Sequence, residues 1–138
     1  MTDLALVTAG RLRVVEAIIQ QTLPFAEACA VGDAVRLDTT TGKWTKANGS
    51  SAGEARIYGV LVSKDGAGAV GTAIRKGVLD GFNIAALAYD APVYLSDTDA
   101  KLADANGTVT VAVGRVIPAH AQTLGNAADK LLFVDLGG

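Results

Sequence analysis

The chain has 138 residues and a formal net charge of −2, with an isoelectric point near 5.2, a balance that argues against a protein built to grip nucleic acid. Hydrophobic residues make up 50% of it but aromatic ones only 5%, so a single domain of this length must build its core from Ala, Val, Leu and Ile. The lone cysteine excludes an internal disulfide and any multi-cysteine metal site. The N-terminus lacks a secretory pattern, and no apolar run approaches the ~20 residues that span a bilayer; the chain reads as soluble, made inside the cell, with no membrane partner.

Residues 1–25 stand apart from the rest. "MTDLALVTAG" has no clear period and ends in glycine. In "RLRVVEAIIQQTLP", Leu12, Val15 and Ile19 fit a helical stripe, but Val14, Val15, Ile18 and Ile19 are β-branched and lose side-chain freedom in a helix. The segment is therefore predicted as an extended strand closed by Pro24. From Glu27 onward the signals are β throughout. "GDAVRLDTTTGKWTKANG" predicts a hairpin, with Asp38 bonding its own turn and Gly42 at positive φ. "ARIYGVLVS" and "TAIRKGVLD" read as strands, the latter carrying Arg75 and Lys76 outward or to an interface. "APVYLSD" is a short strand entered through Pro92. "FNIAALAYD" has room for one helical turn. Asn106-Gly107 predicts a tight hairpin turn, followed by Val109, Val111 and Val113 alternating with Thr110 and Ala112. "DKLLFVDL" is a final strand. Short strands at this spacing predict an all-β fold: a small single-domain β-barrel or sandwich of antiparallel strands over residues 26–138, preceded by an extended N-terminal segment over residues 1–25.

The chemical motifs are weak. Gly66, Gly68 and Gly71 have the G-x-G-x-x-G spacing of dinucleotide sites, with Asp90 about 20 residues on, where a ribose-binding acid belongs. That site needs a helix opening at the glycines to offer N–H groups to pyrophosphate, and the stretch that follows contains Gly77, Gly81 and β-branched residues; the glycines read as a turn. Cys29 and His120 are each the only one of their kind, but Cys29 sits among small apolar residues, as buried inert thiols do. Asp97 and Asp99 mimic the start of a calcium loop, yet Lys101 and Leu102 stand where its third ligand and glycine belong. Trp44 between Lys43 and Lys46 suggests single-stranded nucleic acid weakly; packing of the Trp on the sheet is the simpler reading. No enzyme, cofactor or metal site is expected, and a binding or structural role remains.

Several segments in order resemble the head decoration, or capsid cement, proteins of tailed bacteriophages: "EARIYGVLVS", "TAIRKGVLDGFNIAALAYDAPVYLSDTDAKLAD", "GTVTVAVGRVIP" and "DKLLFVDL", across about residues 11–136. The resemblance implies a β-rich structural protein on the outer surface of the expanded capsid of the virion, made in the host cytoplasm. Such proteins often act as homotrimers near threefold axes, stapling neighbouring major capsid subunits against internal DNA pressure. The related alternative is another virion component, of the tail tube or head completion; a small nucleotide-binding enzyme is the more distant one. If residues 1–25 form an adhesive arm, Leu4, Leu6, Leu12, Val14, Ile18 and Ile19 are its apolar anchors, with Arg75 and Lys76 candidates for acidic capsid patches. The competing reading makes Leu12 to Ile19 a core strand and leaves only residues 1–10 outside it. On the arm reading, deleting residues 2–10 weakens head binding and leaves the fold intact.

Overall fold

A computed structural model describes residues 2–65, 67–119 and 130–137. Among these there is no helix, and the ten strands are β1 Asp3–Leu4, β2 Arg13–Pro24, β3 Ala34–Leu37, β4 Trp44–Lys46, β5 Ile57–Lys64, β6 Val70–Asp80, β7 Pro92–Leu95, β8 Leu102–Ala103, β9 Ala112–Pro118 and β10 Lys130–Asp135. All join one antiparallel sheet in the order β1-β8-β7-β9-β10-β6-β5-β3-β4, with β2 attached to β6 off this path. The all-β prediction holds, and 81–90 contains turns rather than a helical turn.

The sheet curls until its two ends meet. The Ala34 N–H donates to the Ala100 carbonyl at 2.9 Å, Ala100 N–H to the Ala47 carbonyl at 2.8 Å, and Gly49 N–H to the Ser96 carbonyl at 2.7 Å. Ala100 sits at φ 65°, a left-handed conformation that is costly with a Cβ; there its N–H and carbonyl bridge the base of the β3–β4 hairpin to the β7–β8 loop. Closure encloses a core of Val60, Ile74, Leu79, Val93, Leu95, Val113, Val116 and Leu132 with Leu4 from β1, Phe82 being its one aromatic. That is the aliphatic core the composition requires. A second, smaller cluster of Val35, Trp44, Leu61, Ala73 and Cys29 is covered by Leu23, Phe25 and Tyr58.

Local chemistry accounts for the β3–β4 hairpin as expected. Asp38 Oδ1 accepts the Thr40 N–H at 2.8 Å, and Gly42 takes φ 70°. The Asn106-Gly107 expectation is corrected. β7 lies between β8 and β9, so these two do not form a hairpin and β9 begins at Ala112 rather than Val109. The local turn signal loses to the sheet order: the 104–111 segment must pass around β7, and its polar groups bond elsewhere. Thr108 donates its N–H and its hydroxyl to the Asp97 carboxylate, each at 2.8 Å.

β6 is the branching strand. Along one edge its first half pairs with β5 and its second half with β10. Along the other edge it pairs with β2 over its whole length, from Arg13↔Asp80 to Pro24↔Val70. β2 can approach so closely because Gly77 lacks a side chain: a Cβ there would collide with the Glu16 carbonyl.

Candidate functional site

β2 is 12 residues long, about 40 Å of strand at the usual rise. Its only ladder is to β6; among the described residues no strand pairs along its other edge. Just beyond its end the chain is tied down again, where the Ala26 N–H donates to the Trp44 carbonyl at 2.8 Å. At its start Arg13 pairs with the buried Asp80 carboxylate at 2.9 Å. No β2 residue is buried, and only Ile19 and Leu23 are half-buried. Val14 is 37% exposed, Val15 47% and Ile18 51%.

The two most exposed of these coincide with register irregularities: Val15 and Ile18 have no Cα partner on β6, the pairing stepping from Val14 to Glu16 and from Ala17 to Ile19. Bulges bend a strand and redirect its side chains; here they place branched apolar groups in solvent. An apolar, unpaired edge is a template for another chain. The regular stretch Gln20–Pro24 keeps an unbroken register with β6, reinforced by the hydroxyl pair Thr22–Thr72 at 2.7 Å.

The residues named from the sequence fall into three places. Val14, Ile18 and Ile19 lie on β2, as an exposed strand laid on the barrel and neither a detached arm nor a core strand. Leu4, expected as an anchor for a partner, is 7% exposed within the chain's own core; Leu6 and Leu12 pack against that core. The reason is topological: β1 adds to the edge of β8, which no pattern in "MTDLALVTAG" announces. Arg75 and Lys76 lie on β6. The Arg75 guanidinium donates to the Tyr58 carbonyl and the Gly137 carbonyl, each at 3.1 Å, and stands 5.0 Å from the Tyr58 ring centre. Lys76 is half-buried, opposite Ile19 and Asp135 in the ladders. Sequence reasoning left two residues out of the site: Val15, whose exposure follows from a bulge, and Arg56, which shares a groove with Arg75 and carries no sequence signal.

The motifs with possible chemistry resolve into structural roles where they are described. Gly71 opens strand β6 rather than a helix, Gly68 sits in the preceding turn at φ 73°, and Gly66 lies outside the described residues. Asp90 pairs with Arg115 at 3.2 Å. Trp44 is fully buried, its Nε1–H donating to the Gly71 carbonyl at 2.8 Å, and offers no face to a base. His120 lies outside the described residues. Cys29 is 6% exposed; burial first, then the Asp33 and Glu27 carboxylates, push its thiol up to about 11. At pH 8 its thiolate fraction, and so its rate with an aromatic disulfide reagent, is expected to be about 100-fold below that of the unfolded chain. Equal rates with and without denaturant contradict the buried, protonated assignment. Nearby, the Glu27 carboxyl is held below its ordinary value by the Thr45 hydroxyl, with the Lys46 N–H adding to this.

The fold and this surface define an all-β domain whose outstanding feature is an exposed apolar strand edge. Compared with protein-family models, curated proteins and solved structures, the chain gives no match.

Proposed function

We propose that this chain is a viral structural protein that binds the outer surface of the expanded head of a tailed bacteriophage and cements neighbouring major capsid subunits against internal DNA pressure. The observation that carries the proposal is β2: a 12-residue strand with one edge unpaired among the described residues and Val14, Val15 and Ile18 exposed. Such an edge adds a partner's extended segment through main-chain hydrogen bonds, and its side chains supply selectivity. The ordered segments that resemble head decoration proteins support the same reading. Its partners are then the major capsid protein and sister copies, as a homotrimer, on the virion surface.

Adhesion of this kind needs many modest contacts. Several copies joined together multiply them through effective concentration, and binding the expanded lattice in preference to the unexpanded one stabilises it by mass action. The test mixes purified protein with undecorated expanded heads, with unexpanded heads and with tails of the phage that encodes it. Stoichiometric retention is expected on expanded heads. Ile18→Glu, which places a charge in the contact, is expected to lower that retention at least about tenfold, with the melting temperature unchanged because Ile18 is 51% exposed. Retention on tails, or full occupancy by the Ile18→Glu protein, overturns the proposal.

A further inference from the structure

A second surface lies at the tip of the β3–β4 hairpin. There a groove of about 670 Å³ runs between the 38–42 turn and the start of β5, with Leu37, Ile57 and Tyr58 as its apolar lining and Arg56 and Arg75 as its cations. Leu37 is 41% exposed. Asp38 is the carboxylate lining the groove and accepts the Thr40 and Thr41 N–H groups of its own turn; against it the two guanidiniums leave the groove cationic on balance. The Tyr58 ring and two carbonyls hold Arg75 in place. The ion pairs among the described residues are Arg13–Asp80 and Arg115–Asp90, so Arg56 meets no carboxylate there.

The opposite charge is gathered at the other end of the same hairpin. The loop from β7 to β8 carries Asp97 and Asp99, with Asp104 just past β8; all three are exposed, against the single cation Lys101. This loop is fixed to the base of the hairpin by Ala34, Ala47 and Gly49 backbone bonds and by the Asn48 amide donating to Asp99 at 3.1 Å. β3 alone separates base from tip, about 13 Å of strand. A loop fastened to the base cannot bend round to the tip of its own hairpin.

We propose that the Arg56–Arg75 groove receives the acidic β7–β8 loop of a second copy of this chain, head to tail. The groove at the tip of the hairpin is cationic with an apolar floor and the loop at its base is anionic, so the copies complement each other without either surface matching itself. Such heterologous contacts close into rings when the rotation between copies permits. The contact stands apart from shell binding, because it is read in the purified chain alone.

Sedimentation velocity at low and high salt tests it, with circular dichroism confirming that each variant folds. The native chain is expected to self-associate at low salt and to dissociate as screening shortens the reach of the charges. Arg56→Glu and Asp99→Arg are each expected to weaken association by about tenfold or more. Combining the two substitutions in one chain is expected to restore it, since every groove then offers a carboxylate to the guanidinium of every loop, whatever the number of copies in the ring. A native chain that stays monomeric, an Arg56→Glu protein that assembles normally, or a double variant that fails to recover overturns the proposal. If Ile18→Glu dissociates the oligomer while Arg56→Glu does not, the copies meet through β2, which also overturns it.

Discussion

Trp44→Ala is expected to lower stability by about 3–5 kcal/mol, seen as a fall in melting temperature of roughly 10 to 20 °C. Trp44 is fully buried at the centre of the smaller cluster, beside Val35, Leu61 and Ala73, with its ring 5.3 Å from that of Tyr58. Truncation leaves a cavity and removes the indole N–H from the Gly71 carbonyl. A loss of this size is a large fraction of the 5–15 kcal/mol typical of a domain. Trp44→Phe keeps most of the apolar contact, so it is expected to cost less than half as much, and the pair of variants separates packing from the hydrogen bond. The effect also reaches β2. Leu23 and Phe25 close over this cluster, so amide exchange at residues 20–25 is expected to accelerate in Trp44→Ala before the rest of the barrel responds. A melting temperature within about 5 °C of the native value contradicts the assignment of Trp44 as the centre of a stabilising unit.

Deleting residues 2–10 is expected to destabilise the fold by at least about 3 kcal/mol, the reverse of what the arm reading of the sequence predicts. Leu4 is 7% exposed in the main core, and β1 pairs with β8 through Asp3↔Ala103 and Leu4↔Leu102. The Val7 N–H donates to the Gly81 carbonyl and the Asn83 N–H to the Ala5 carbonyl, both at 2.8 Å. The deletion would uncover the β8 edge and the fully buried Leu102 and leave these backbone groups unmatched. Leu4→Ala, at about 2–3 kcal/mol, isolates the packing share. Thermal unfolding of both variants decides the matter: unchanged transitions show that the segment is dispensable to the barrel. For a test of the proposed shell binding the consequence is practical. An N-terminal deletion confuses lost folding with lost contact, whereas Ile18→Glu on the exposed strand tests contact alone.

The class of fold was legible in the residues because it rests on short-range physics. β-branched residues in "RLRVVEAIIQQTLP" disfavour a helix whatever surrounds them, and Asp38 with Gly42 makes its turn from its own side chain and backbone. Scarce aromatics required an aliphatic core wherever that core lay. What each strand faces is a different kind of fact. Leu4 and Ile18 are equally apolar in a sequence, yet one is in the core and the other is in solvent, because β1 adds to an edge that covers it while β2 lies on the outside of β6. Asn106-Gly107 carries a strong turn signal that the position of β7 between β8 and β9 overrides. Arg56 gained a partner for its groove in Arg75 only when the 57–64 and 70–80 strands were paired. Residue type and neighbours set the local conformation; which surfaces stay exposed was settled by long-range strand order, since pairing energy depends on who lies alongside rather than on who comes next.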